Sequence, residues 1–237
     1  MKKAMLDIVF PMRCPICLDI ALPKGKKICD ACVKYENYIK EPRCKKCGKQ
    51  LIQEEIEYCY DCTKHRRSFE QGVALLDYSL PWVRRVLTEI KYRNHRQYLD
   101  VLCEELIKIY KTTIMGWNCE AIIPVPIHPI RRKMRGFNQT EEIAVRLEEA
   151  CNIPVDCTIL RRIKKTLPQK ELNHQQRMEN LIQAFTAEKM EHPYHTVLLV
   201  DDIFTTGSTA EACTRTLQSI GISTVYVLTL AVGRGIV

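Results

Sequence analysis

The segment 197–209, Val-Leu-Leu-Val-Asp-Asp-Ile-Phe-Thr-Thr-Gly-Ser-Thr, restricts this chain more than any other stretch. Residues 197–200 are all apolar, the pattern of a strand buried on both faces. Asp201 and Asp202 follow where such a strand would emerge. Thr205, Thr206, Gly207, Ser208 and Thr209 are all small, four of them hydroxylated, and the apolar spacing from Ala210 onward is helical. A buried strand, a tight polar turn and a helix N-terminus make an anion cradle. Backbone N–H groups and the helix dipole converge there on one point. Gly207 permits the positive φ or the close approach such a turn needs. The two carboxylates accept hydrogen bonds only, so they suit sugar hydroxyls or a hydrated Mg²⁺. The plain alternative is an ordinary buried βα unit with an acidic cap.

Through all thirteen positions the segment resembles the phosphoribosyl pyrophosphate (PRPP) signature of type I phosphoribosyltransferases. The resemblance implies that Asp201 and Asp202 meet the ribose 2′ and 3′ hydroxyls. It also implies that Thr205, Thr206, Gly207, Ser208 and Thr209 hold the 5′-phosphate.

The other strong signal is a repeat. Cys14/Cys17, Cys29/Cys32, Cys44/Cys47 and Cys59/Cys62 are four Cys-x-x-Cys pairs that begin every fifteen residues. Each turn points two sulfurs at one corner and two turns complete a tetrahedral Cys₄ site, so four turns imply two Zn²⁺ ions. A closed set of four thiolates leaves no open coordination position, which makes the metals structural. Sequential ribbons, first turn with second and third with fourth, are the expected pairing. A cross-braced arrangement fits the spacing as well. A redox role for one pair is the rival reading. Pro15 inside the first pair and Gly48 after the third favour knuckle turns. Cys103, Cys119, Cys151, Cys157 and Cys213 lack such partners and read as small buried hydrophobes.

Zinc thiolates also alter the charge argument. Each Cys₄ site carries two negative charges, so two of them take the formal +8 to +4. Local clusters say more than the net value. Arg131, Arg132, Lys133 and Arg135 form one; Arg161, Arg162, Lys164 and Lys165 a second; Arg84, Arg85, Lys91, Arg93 and Arg96 a third.

With 237 residues, the chain can hold a small module over 1–65 and one α/β domain over 66–237. Asp7 interrupts the short apolar stretch near the N-terminus, which reads as neither signal peptide nor membrane span. Thiols used as metal ligands fit a cytoplasmic protein without membrane insertion. Strands are expected over 72–78, 121–127, 196–203 and 224–232. Helices are expected over 81–92, 98–111, 140–150 and 209–220. This alternation predicts a mostly parallel sheet flanked by helices, with ligands beyond the strands' C-terminal ends.

The basic loop over 126–139 leaves the same end of the sheet and offers pyrophosphate several cations; a solvated basic loop is the alternative. His128 reads as structural. The polar, basic segment 161–185 reads as a flap over bound ligand or as a track for a nucleic-acid backbone. Trp82, Tyr92 and Tyr98 beside a basic cluster are either core or base-stacking residues.

Taken in order, the cysteine pairs, Pro124-Val-Pro-Ile-His, Arg135-Gly-Phe-Asn-Gln139, Thr166-x-x-Gln169, Arg177-x-x-Asn180, Ala184-Phe185 and the PRPP turn resemble the ComF family, which includes ComFC and GntX-like proteins. The resemblance implies a type I phosphoribosyltransferase-like domain that takes PRPP with Mg²⁺. The pyrophosphate loop would lie near 126–135, with Arg131, Arg132, Lys133 and Arg135, and the flexible loop near 163–176. It also implies natural transformation, with single-stranded DNA handled in the cytoplasm and a ComFA-type helicase as partner.

The chain runs only five residues past Val232, so any hood that selects an acceptor is expected from 63–115 or from the zinc module. Three functions compete. One is a PRPP- and DNA-binding factor with phosphoribosyl transfer, in which Asp201 and Asp202 serve the reaction. Another is a phosphoribosyltransferase acting on a small base or amine, unrelated to DNA. The third is a zinc-stabilised docking protein with a vestigial turn.

Overall fold

The structure is a computed structural model, and it describes residues 11–23, 25–35, 38–163, 181–189, 191 and 194–233. Most of the expected flap, residues 164–180, lies outside the described residues.

In chain order the elements are α1 (Tyr60–Lys64), β1 (Gly72–Asp77), α2 (Pro81–Arg93), α3 (Gln97–Gly116), β2 (Ala121–Pro124), α4 (Pro129–Arg135), α5 (Gln139–Cys151), β3 (Leu160–Arg162), β4 (Phe185–Ala187), β5 (Thr196–Phe204), α6 (Ser208–Gln218) and β6 (Thr224–Val232). The main sheet has the order β1-β6-β5-β2 and every pair in it is parallel. A separate antiparallel pair joins β3 to β4. The fold is therefore α/β, with a mostly parallel sheet flanked by helices and a zinc-ribbon module before it.

The apolar run 197–200 explains why β5 is central. A parallel strand covered on both faces must be apolar at every position. Leu198 and Val200 point, with Leu228 and Leu230, into a layer built on α2, α3 and α5, where Leu87, Leu102, Leu106, Ile143 and Leu147 meet them. Val197 and Leu199 point the other way, with Val225 and Val227, onto Leu217 of α6 and Leu160 and Phe185 of the small sheet.

Two expected elements change. The strand expected over 121–127 stops at Pro124, because Pro124 and Pro126 have no N–H to continue the ladder. The loop expected over 126–139 contains α4. His128 caps that helix by accepting from the Ile130 N–H at 3.3 Å, Pro129 opens it, and Gly136 closes it.

The second ribbon lies directly against β1. The Ile39 N–H donates to the Leu75 carbonyl at 2.9 Å, and Tyr38 bridges Leu76 in antiparallel fashion. Gly48 has φ +73°, and a Cβ there would stand 2.8 Å from the Gly72 carbonyl oxygen and 2.9 Å from the Val73 Cα. Only glycine fits that turn.

Candidate functional site

The turn after β5 is shaped by its own strand. Gly207 has φ +77°, and a Cβ on it would fall 2.4 Å from Cζ of Phe204. The Thr206 and Ser208 hydroxyls hydrogen-bond at 2.8 Å. Gly207 offers no capping side chain; the Thr206 hydroxyl accepts from the Ser208 N–H at 3.4 Å, and the N–H groups of Thr209 and Ala210 remain for a ligand.

Beyond the C-terminal ends of β2 and β5 lies a cleft of about 260 Å³. Asp201, Asp202, Thr205 and Thr209 line one side of it. Arg131 and Arg135 of α4, Lys91 and Tyr92 of α2, Tyr78 and Arg162 of β3 line the rest. Asp202 is buried; it accepts from Nε2 of Gln139 at 2.8 Å and pairs with Nζ of Lys91 at 2.5 Å. Nη1 of Arg135 in turn donates to Oε1 of Gln139. The Asp202 N–H donates to Oδ1 of Asp201 at 2.8 Å. Burial, together with the Asp202 charge, pushes the Asp201 carboxyl up to about 8. Burial and the charge of Arg131 hold the Arg162 guanidinium below its usual range. Among the described residues neither Arg131 nor Arg162 has a carboxylate at ion-pair distance. Two guanidinium groups set close together with no ion pair of their own favour an anion between them.

The eight paired cysteines form two clusters, Cys14, Cys17, Cys29 and Cys32, then Cys44, Cys47, Cys59 and Cys62. Sulfurs within each lie within 4.8 Å of one another. Cys17 and Cys29 sulfurs are 3.9 Å apart, and those of Cys47 and Cys59 3.6 Å. A tetrahedral zinc with bonds of about 2.3 Å needs sulfurs roughly 3.8 Å apart, so both clusters fit Zn²⁺. The sequential pairing is the one the fold adopts.

The double zinc ribbon domain family matches residues 5–63. Competence protein F of Haemophilus influenzae (strain ATCC 51907 / DSM 11121 / KW20 / Rd) is 32% identical over 228 residues, covering 94% of this chain and 97% of that protein. The chain belongs to the competence protein F family. DNA utilization protein YhgH of Escherichia coli O157:H7 is 27% identical over 204 residues, covering 84% of this chain and 88% of that one. A purine phosphoribosyltransferase from Pyrococcus horikoshii Ot3 aligns over 56% of this chain and 72% of its own, with 19% identity and a TM-score of 0.32.

In this competence protein F homologue the basic residues of the 126–139 segment divide by helical geometry. Arg131 and Arg135, four apart on α4, face the cleft; Arg132 pairs with Glu141, and Lys133 is exposed away from it. Of the turn residues, Thr205 and Thr209 line the cleft, Gly207 is buried, and Thr206 is exposed. Each residue of Arg135-Gly-Phe-Asn-Gln139 has a task. Phe137 is buried beneath Arg96, whose guanidinium stands 4.1 Å from the ring centre. Asn138 caps α5, and its Nδ2 donates to the Val125 carbonyl at 3.2 Å, tying the helix to the end of β2. Gln139 then reaches Asp202.

Sequence reasoning named none of Lys91, Gln139, Arg162 or Tyr78 as an individual site residue, although Gln139 ends the expected basic loop, Arg162 lies at the start of the expected flap, and Tyr78 and Lys91 lie in the expected hood region. Lys91 carried a usable signal: it lies four residues after Leu87, on the inward stripe of α2. Tyr78, Lys91 and Tyr92 come from the 63–115 region expected to supply a hood. Tyr98 is fully buried, which settles it as a core residue rather than a base-stacking one. One reading needs correction: Cys157 is exposed, because it sits in the turn after the Val155 bridge. Among the described residues no helix is long and apolar enough to cross a membrane.

Proposed function

We propose that this chain binds PRPP, with Mg²⁺, in the cleft at the end of β5, and does so in the handling of incoming single-stranded DNA. The observation that carries the reading is the opposition of Asp201 and Asp202 to the unpaired Arg131 and Arg162 across a cleft edged by the start of α6. The 205–209 turn holds the 5′-phosphate through backbone N–H groups. Asp201 and Asp202 take the sugar hydroxyls and would hold a hydrated Mg²⁺, which when bound offsets pyrophosphate charge. Arg131, Arg135 and Arg162 hold the pyrophosphate, while Tyr78, Lys91 and Tyr92 stand where an acceptor would approach.

Transfer of the phosphoribosyl group follows from the same arrangement. The acceptor's lone pair forms a bond to C1 as the C1–oxygen bond to pyrophosphate breaks, and the electron pair leaves with pyrophosphate. The proton lost from the acceptor nitrogen passes to the departing pyrophosphate or to water. The arginines stabilise that departing charge.

The DNA role draws on what the relatives are called, competence protein and DNA utilization protein. Exposed aromatics on the zinc module support it: Lys34 stands 5.2 Å from the ring centre of Tyr35 and Lys64 5.6 Å from that of Tyr60. Cation-bearing exposed rings suit single-stranded DNA. A ComFA-type helicase is the proposed partner and the cytoplasm the proposed compartment.

Calorimetry with Mg²⁺ and PRPP tests the reading. Replacing both carboxylates, Asp201→Asn with Asp202→Asn, should weaken binding by about 100-fold or more, two charge-assisted contacts being lost. Absence of binding by the unmodified protein overturns the proposal. The affinity should also depend on pH. Asp201 holds its proton in the free cleft up to about 8 and must lose it to meet the metal, so affinity rises from pH 6 towards 8. Asp201→Asn should flatten that slope. Pyrophosphate release with bases or amines, in the absence of DNA, would favour the small-molecule transferase instead. DNA binding that ignores salt would count against phosphate contacts.

A further inference from the structure

Five charged side chains are buried among the described residues: Lys49, Arg67, Glu89, Asp202 and Glu211. Lys49 pairs with Asp61, Glu89 with His95 and Arg93, Asp202 with Lys91, and Glu211 with Arg215. Arg67 is 6% exposed and, among the described residues, has no carboxylate at ion-pair distance. Its Nε has no hydrogen-bond partner, and its Nη2 donates to the Thr206 carbonyl of the phosphate turn at 2.7 Å. The nearby Glu211 carboxylate is already engaged. It accepts from the Ser68 N–H at 2.8 Å and hydroxyl at 2.7 Å, and from Nε of Arg215 at 2.7 Å.

A guanidinium taken out of water without a counter-ion is strongly unfavourable. Here it stands directly behind the turn proposed to receive the 5′-phosphate. The residues beside it brace the same turn: Phe69 meets Phe204 edge-on at 6.0 Å, and the Phe204 ring fills the space where Gly207 has no side chain.

We propose that Arg67 is the buried cation of the phosphate turn, a positioning residue whose charge is compensated when a phosphate monoester binds there. It holds the Thr206 carbonyl and keeps positive charge behind the N–H groups. This deepens the PRPP reading at the phosphate end, and rests on the turn as a phosphate site but not on pyrophosphate or acceptor.

The proposal has an unusual sign. Arg67→Met removes a buried charge that nothing offsets, so the ligand-free protein melts at or above the unmodified temperature. The same variant binds ribose 5-phosphate at least about tenfold more weakly, the loss of one charge-assisted contribution. A purely structural arginine gives the reverse: a lower ligand-free melting temperature and unchanged affinity.

The experiment measures melting temperature without ligand, and calorimetric affinity for ribose 5-phosphate and for PRPP with Mg²⁺. It compares the unmodified full chain with Arg67→Met, Arg67→Gln and Arg67→Lys. Weak binding by the two neutral variants, with partial recovery by Arg67→Lys, supports the proposal. Unchanged affinity for ribose 5-phosphate in Arg67→Met overturns it, as does the absence of ribose 5-phosphate binding by the unmodified protein. Failure of both neutral variants to fold overturns it too, since the guanidinium's role would then be structural. If ribose 5-phosphate binds in an Arg67-dependent way and PRPP does not bind, the PRPP reading falls and Arg67 stands. If PRPP binds equally with and without Arg67, the reverse holds.

Discussion

In the first ribbon Cys14, Ile16, Ala21, Cys29 and Cys32 pack chiefly on one another, whereas in the second Cys44, Cys47 and Cys59 pack with Ile39, Phe69 and Ala74 under the main sheet. The first is tied to the α/β domain at its margin: Leu18 packs on the edge of the main core, Trp82 meets the ribbon, Arg85 donates to the Ile16 carbonyl, and Lys27 forms an exposed ion pair with Glu104. The second is tied through its interior. Nη1 of Arg43 donates to the Tyr110 hydroxyl at 2.8 Å, and that hydroxyl donates to the Ala74 carbonyl at 2.8 Å. Seven residues after Cys62 comes Phe69, so the second site also leads straight into the segment that braces the 205–209 turn. Identical metal chemistry thus has two consequences. Burial decides them: a zinc at the periphery organises its own small core, while a zinc inside the sheet's lower layer supports the domain and its cleft.

The largest expected difference is between ligand substitutions. Cys47→Ser should destabilise the whole protein by about 4 kcal/mol or more, roughly 10 °C for a domain of this size. Cys14→Ser should release one zinc equivalent while the main calorimetric transition moves by less than about 3 °C. Equal shifts would erase the distinction between the ribbons.

Glycine substitutions probe the same contrast more gently. Gly25 in the first ribbon and Gly48 in the second both have positive φ, but a Cβ on Gly25 meets nothing within 4 Å. Denaturant titration should give about 1 kcal/mol for Gly25→Ala and about 3 kcal/mol for Gly48→Ala, which adds a backbone clash to the same conformational strain.

Ion pairs include the smallest expected effect and separate the two as well. Lys49 is buried against Asp61, so Lys49→Ala leaves a partly buried carboxylate unpaired and should cost about 3 kcal/mol. Lys27 and Glu104 are both well exposed, and Lys27→Ala should stay within about 0.5 kcal/mol. Comparable values in equilibrium unfolding would mean that the first ribbon is docked more firmly than its contacts indicate.

Much of this was legible along the chain. The strand β6 has the bounds its apolar run implied, 224–232, and the ends of β5 and α6 differ by one or two residues. Local signals for α4 were also present, with Pro129 at its start and Gly136 at its end. The density of charge between them made the segment read as loop. Without that helix, nothing separated Arg131 and Arg135 from Arg132 and Lys133. The partners of Asp202 were less accessible, because Gln139 lies 63 residues away in sequence and its role needs α5 docked against β2. Exposure of Cys157 depended likewise on where its turn met solvent.

Sequence alone determined the two Cys₄ sites, the parallel α/β core and the tight small-residue turn after the central strand, because each is written in residues a few positions apart: ligand spacing, apolar runs, and small residues after a strand. Tertiary structure alone decided which ribbon joins the core, which arginines face the cleft, and that Arg67 meets Thr206 across 139 residues. Those outcomes depend on burial and on counter-ions, and a side chain acquires both only when distant segments pack together.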